Sequence, residues 1–428
     1  MKRMMATLFS GLVLLQGFAF AAPKTTVVLW NRIFEDWNRA YCEKMAAAYN
    51  AQSTTVNLDQ QFIPGDGWDE KMKAAQASGT APDIYLMNYG GIPWLARDGM
   101  LLKMDSLLPA AAWNDLYDNV KKFISYKGGF YAYPQLLEPA TVLYYRKDLF
   151  QQAGLDPNKP PRTWDELIAD AKKLTTKQVF GLSIPGFGGD VGWSTWGWQQ
   201  TASGHMAISD DWSRATVQDQ GYLDLANFFK RVYAEKVVPA QPLGGYADIT
   251  PFAQGGTAMA FCGSWAIGEI RNNYQDMVDK IGVAPAPTKD GKPFTPTVGG
   301  WTYVLDAKTK VAQPAADYIN WLLASDPSRP AEFFSVAKYS KFSPRKSVDA
   351  FIKKSNEAMN DPWMKTISEQ VVPYTVAEPL YAWDISMAVD TALQSVVVSN
   401  ASPADALAKA ADSITTYIKT NDYSTKKP

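Results

Sequence analysis

Catalysis needs side chains that can move protons, donate electron pairs or hold a metal, and this chain offers few in useful patterns. His205 is the only histidine. That leaves no metal site built on several imidazoles and no serine-histidine-aspartate triad away from that one ring. A lone imidazole serves its own structural hydrogen bonds. Gly186-Phe187-Gly188-Gly189-Asp190-Val191-Gly192 is glycine-rich, but its spacing is not G-x-G-x-x-G and no clean strand-to-helix context surrounds it, so it reads as a flexible loop. Ser343-Pro344-Arg345-Lys346 matches S-x-x-K without the companion K-T-G, a two-position pattern that arises by chance in a chain of 428 residues. Carboxylates are harder to dismiss. Glu138 and Asp384 could act as the acid pair of a glycoside hydrolase, which needs two carboxyls roughly 5 to 10 Å apart. The alternative, which we favour, is that each accepts hydrogen bonds from sugar hydroxyls or backbone in a partly dry cleft. The reading is binding without catalysis, with no metal and no cofactor.

Composition points the same way. The chain carries 15 Trp and 21 Tyr, flat groups that present an apolar face and one polar handle, as a sugar ring requires. Lys2 and Arg3 precede an apolar stretch from Met4 to about Phe20, and Ala19-Phe20-Ala21 has small residues where a signal peptidase needs them. Residues 1–21 are therefore expected to be a signal peptide, too short for a comfortable bilayer span. No Cys follows the cleavage point to carry a lipid, so a Gram-negative periplasm is the expected address. Without Lys2 and Arg3 the net charge falls from −1 to −3, which supplies no electrostatic footprint for nucleic acid or anionic lipid.

The elements that must position these groups alternate along the chain as α/β, the pattern of a mostly parallel sheet covered by helices. Thr25 to Trp30, Asp83 to Met87, Thr141 to Arg146, Thr257 to Cys262 and Trp301 to Asp306 read as strands. Trp37, Tyr41, Met45 and Tyr49 recur at helical spacing and predict a helix over 36–49 whose aromatics pack in a core. Thr163-Trp164-Asp165-Glu166 and Ser402-Pro403-Ala404-Asp405 place a capping hydroxyl three residues before a carboxylate. Pro185 to Gly192 and Ala284 to Pro296 read as long loops. A chain this long exceeds a single core, and two lobes are expected.

Several ordered blocks resemble the extracellular solute-binding proteins of ABC sugar importers: Ala81-Pro82-Asp83-Ile84, Tyr131-Ala132-Tyr133-Pro134, Tyr144-Tyr145-Arg146-Lys147-Asp148-Leu149, Thr163-Trp164-Asp165-Glu166-Leu167, Phe252-Ala253-Gln254-Gly255-Gly256-Thr257-Ala258-Met259 leading to Gly263-Ser264-Trp265, and Gly299-Gly300-Trp301 before Ala315-Ala316-Asp317-Tyr318. The resemblance covers nearly the whole mature chain. It implies a two-lobed periplasmic-binding-protein fold with discontinuous lobes, one of residues 23–137 plus 300–350 and the other of 138–299 plus 351–428, joined by hinge strands around a ligand cleft. Cys42 and Cys262 then fall in different lobes that must move, and are expected as free thiols.

The resemblance also implies the site. Ligand should sit beyond the carboxyl ends of strands, which brings in Trp30, Asn31 and Asp36 after the first strand and Asn88 and Tyr89 after the second. Glu138, four residues past Pro134, occupies the place of a sugar-binding glutamate. Trp193, Trp196 and Gly263-Ser264-Trp265 match aromatic stacking segments, while Gly300, Trp301 and Arg345 match a Gly-Gly-Trp segment and a Pro-Arg pair. Trp383, with Asp384 beside it, stands one turn before the position of a further stacking tryptophan. The implied ligand is a sugar or polyol, with a phosphorylated polyol such as glycerol phosphate as the alternative. The implied partners are ABC permease subunits, and the receptor itself is expected to be a monomer.

Overall fold

The computed structural model describes residues 23–33, 36–65, 67–355 and 360–427; the expected signal segment lies outside them. Strands β1 (Thr25–Arg32), β2 (Val56–Ile63) and β3 (Ile84–Asn88) run parallel with β1 in the middle. Alternation fixes their faces: Val27 and Leu29 are wholly buried. The chain then passes through β4 (Ala132–Pro139) into β5 (Val142–Arg146), which pairs antiparallel with both β6 (Met259–Cys262) and β7 (Ile281–Ala284) to form a second sheet. It returns to the first sheet as β8 (Thr297–Leu305), antiparallel to β3 on one edge and β4 on the other, with the short β9 (Val376–Ala377) parallel beside β8. The mostly parallel sheet expected from the alternation is thus limited to β1, β2 and β3 and the short β8–β9 pair. The β4 and β8 strands pair antiparallel instead.

Two hydrophobic cores result, and β5 divides them. Val142 and Tyr144 face one core, while Leu143 and Tyr145 face the other. The helices packed around these cores include α1 (Asp36–Gln52), α2 (Trp68–Ser78), α3 (Trp164–Leu174), α4 (Asp190–Ser194), α5 (Trp196–Ser203), α6 (Ala266–Asn273), α7 (Trp383–Val398) and α8 (Pro403–Thr420). In α1, Tyr41 and Tyr49 pack edge-on against Phe333 and Tyr318, so these aromatics serve the core. The α3 capping box forms in full, with the Glu166 amide donating to Thr163 Oγ1 at 3.1 Å. Ser402 stands at the N-cap of α8 without a side-chain bond, leaving Pro403 and the first-turn Asp405 to open that helix.

The glycine-rich segment is tied down, in contrast to the flexible loop expected. The amides of Gly188 and Gly189 donate to the Asp390 carboxylate at 3.3 and 3.4 Å, and α4 begins at Asp190. His205 bridges Asp219 at 2.8 Å and the Met206 carbonyl at 2.9 Å, a structural role. Cys42 and Cys262 are free and buried. Burial pushes the Cys42 thiol up to about 12 and raises that of Cys262 further, so both behave as core groups. Among the described residues no helix is long and apolar enough to cross a membrane.

Candidate functional site

Parallel strands end on the same side, and the ends of β1, β2 and β3 open onto a cleft of about 920 Å³. Arg32 and Ile33 follow from β1, Pro64, Gly65 and Trp68 from β2, and Asn88 closes β3. The facing wall comes from α4, α5, the 245–249 loop, the start of α6 and the start of α7. It brings Trp193, Trp196, Trp265 and Trp383 to the cleft, with Asp190, Asp248 and Glu269 among them. Between the walls the crossing strands supply Glu138, Gly300 and Trp301 to a floor completed by Lys341 and Glu378 from irregular segments.

The indoles of the facing wall form two pairs. Trp193 and Trp265 lie 6.3 Å apart at 33°, and Trp196 meets Trp383 edge-on at 6.4 Å. Trp265 donates its indole N–H to the Ala247 carbonyl at 3.0 Å, and Trp196 donates its own to Ser386 Oγ at 3.0 Å. With those N–H groups committed to protein, what these rings offer a ligand is their faces. Trp383 is 45% exposed, one of few large apolar side chains so open among the described residues, and such exposure is the informative exception on a folded surface. Opposite, the Arg32 guanidinium lies 5.1 Å over the Trp301 ring.

Five carboxylates and two cations line this space. Lys341 donates to Glu138 at 3.0 Å with both side chains nearly buried. Glu378 keeps some solvent contact yet is surrounded by protein; burial, with the Glu138 charge adding to it, pushes its carboxyl up to about 7. Hydroxyl-bearing rings would meet apolar faces on one wall and charged acceptors below.

Of the residues expected at the site, the cleft gathers Asn88, Glu138, Trp193, Trp196, Trp265, Gly300, Trp301 and Trp383. The others lie elsewhere, each for a visible reason. Trp30 donates to Gln61 at 3.1 Å on the next strand with Lys71 over its ring, and Asn31 is buried between Gln60 and the Tyr303 hydroxyl. Tyr89 is buried, its hydroxyl donating to the Leu136 carbonyl at 3.1 Å. Gly263 and Ser264 act beneath the surface: the Gly263 carbonyl accepts from Tyr144 at 2.8 Å, and the Ser264 amide donates to Pro139 at 3.0 Å. Arg345 is 4% exposed and held by Asp115, the Leu323 and Ala324 carbonyls and Ser347, so it braces the interior. Asp384 is exposed and does not line the cleft, which also leaves Glu138 and Asp384 without a shared space for acid-base work. Asp36 opens α1, and its side chain lies outside the described residues.

Sequence reasoning missed Arg32, Trp68, Asp190, Asp248, Glu269, Lys341 and Glu378. Arg32, at the end of β1, and Trp68, opening α2 after β2, were within reach, since the strand-end rule applies to them equally. Lys341 and Glu378 sit in irregular segments with no periodicity or motif to mark them.

Cleft and sheets together define a two-lobed binder of small solutes. The chain belongs to the bacterial extracellular solute-binding protein family, whose profile it matches over residues 36–327. It is similar to a solute-binding protein of an ABC transporter from Thermotoga lettingae solved with α-D-tagatose, with 25% identity, TM-score 0.78, and 92% of this chain and 99% of that one covered. It is 26% identical over 297 residues to a probable ABC transporter-binding protein of Deinococcus radiodurans, covering 66% and 68% of the two chains. It is 28% identical over 206 residues to a probable amino-acid ABC transporter periplasmic-binding protein of Sinorhizobium fredii, covering 44% of this chain and 43% of that relative. The last match thus spans less than half of the relative's length.

Proposed function

We propose that this protein is the periplasmic receptor of an ATP-driven importer, capturing a neutral sugar or short oligosaccharide between two lobes and delivering it to membrane permease subunits as a monomer. The observation that carries the reading is the wall of paired indoles, with the Trp196 and Trp265 N–H groups spent on protein, while carboxylates lie at the floor. Pyranose C–H faces stack on the rings and hydroxyls meet the acids, so both sides of one sugar ring are matched. We take the lobes as 23–137 plus 300–350 and 138–299 plus 351–428, with residues 1–21 removed on export. Contacts shared between lobes favour the closed form, because a ligand shifts an equilibrium only through its differential affinity for the two states.

A phosphorylated polyol is less well supported. A phosphate seeks convergent cations or open helix N-termini, whereas this cleft has an excess of acids and its Lys341 already serves Glu138. The same acids disfavour the α-carboxylate of an amino acid. A thermal-shift panel of sugars, polyols, polyol phosphates and amino acids tests the assignment; ligand at one hundred times its dissociation constant adds about 2.7 kcal/mol. Stabilisation by phosphates or amino acids alone would overturn the sugar reading. Analysis of a stabilising glycan after incubation separates receptor from hydrolase: the receptor returns it intact.

A further inference from the structure

Gly299 on β8 is in register with Glu138 on β4, so the two residues project to the same side of the sheet. Directly opposed strand residues have Cβ atoms about 4.5–5.5 Å apart. The Gly299 position holds no Cβ, and the space is filled by a carboxyl from the segment after β9: an atom built there would stand 2.1 Å from Glu378 Oε1. Glu378 therefore reaches over the bare backbone to lie beside Glu138, where three crossing strands meet under the cleft.

The other cleft carboxylates are already engaged by protein. Glu138 accepts from Lys341 at 3.0 Å, Asp190 from the Tyr246 amide at 2.9 Å, Asp248 from the Thr250 amide at 2.8 Å and Glu269 from Asn273 at 2.7 Å. Among the described residues no protein donor reaches Glu378. Arg32 lines the opposite wall and approaches Trp301. Two neighbouring carboxyls resist being ionised together, as in paired-acid sites that share one proton.

We propose that Glu378 is a ligand-contacting residue that holds a proton in the empty receptor, beside the Lys341-paired Glu138, and releases it when ligand hydroxyls donate to it. The inference rests on the receptor reading above. The burial that raises the Glu378 carboxyl to about 7 puts this exchange at neutral pH. Ligand hydroxyls stabilise the ionised form, so binding lowers the midpoint, and affinity rises with pH through about 7.

The experiment follows glutamate carboxyl ¹³C signals against pH in the wild-type protein, Glu378→Gln and Gly299→Ala. It then measures binding of D-tagatose, mannobiose and maltotriose by calorimetry in two buffers of unequal protonation enthalpy. One carboxyl titrating near 7 should vanish in Glu378→Gln. It should return toward the ordinary range in Gly299→Ala, whose methyl evicts the carboxyl. A probe that binds should lower the midpoint and release protons from the wild type only, with at least about tenfold weaker binding by Glu378→Gln. Ordinary titration of every glutamate overturns the proton on Glu378, and a bound probe that leaves the midpoint in place overturns the contact. If no probe binds, the sugar reading falls for these compounds, while titration of the empty protein still decides the pair.

Discussion

Arg345 with Asp115 and Lys341 with Glu138 are both nearly buried ion pairs, the cations 5% and 4% exposed at the side chain, yet one braces the fold and the other faces the ligand space. The difference lies in how far each group is satisfied. The Arg345 fork donates to Asp115 at 2.7 Å, to the Ala324 carbonyl at 2.6 Å and to the Leu323 carbonyl. Asp115 accepts in addition from the Ser347 amide and hydroxyl at 2.9 and 2.6 Å. Burial works against the Asp115 carboxylate, but the Ser347 bonds and the Arg345 charge outweigh it and hold it below its usual range. Glu138 has Lys341 and a neighbouring acid without a protein donor. A carboxylate saturated by several protein donors has little left to offer a ligand; Glu378, with no protein donor among the described residues and in a cleft, does.

Removing Arg345 should produce the largest effect. Arg345→Ala strands a buried carboxylate and should cost about 3–5 kcal/mol in urea unfolding, with sugar affinity unchanged in the protein that remains folded. A large affinity loss at unaltered stability would reverse the two pairs' roles. Trp265→Ala should weaken binding more than tenfold, about 1.4 kcal/mol; an unchanged dissociation constant would take that ring out of the site.

The pH dependence sharpens the contrast further. Because the folded Glu378 carboxyl lies near 7 against an ordinary 4.5, its contribution to stability is intact below about 4.5 and is lost as pH rises through about 7. Glu378→Gln lacks that loss, so it should match the wild type near pH 4 and exceed it near pH 8 in thermal unfolding. Parallel curves for the two proteins would contradict the buried acid. The smallest change in stability belongs to Trp383→Ala, within about 0.5 kcal/mol for so open a side chain, although its binding should still weaken; a large drop in melting temperature would make Trp383 a packing residue.

Local pattern carried the framework well. Val27 and Leu29 in β1, the α1 stripe of Tyr41, Met45 and Tyr49, and the Thr163 capping box depend on neighbours along the chain, and they form as their spacing implies. The tryptophans of the facing wall were legible through their match to the stacking segments of the resembling family. Arg345, before a helix, and Asn31, near the end of β1, were not distinguishable from cleft residues by type, since a polar side chain at an element's end can turn either way. Glu378 carried no local mark at all.

Helices, strand order in the chain, the scarcity of catalytic groups and the wealth of indoles were determined by the amino-acid sequence alone, because periodicity and composition act over a few residues. Which acids became neighbours, which cations were consumed internally and how the strands paired were decided only by the tertiary structure. Those outcomes depend on segments such as β4, β8 and residues 376–378 meeting from distant parts of the chain. The strength of a charge in water or in a cleft depends on that surrounding rather than on the residue's identity.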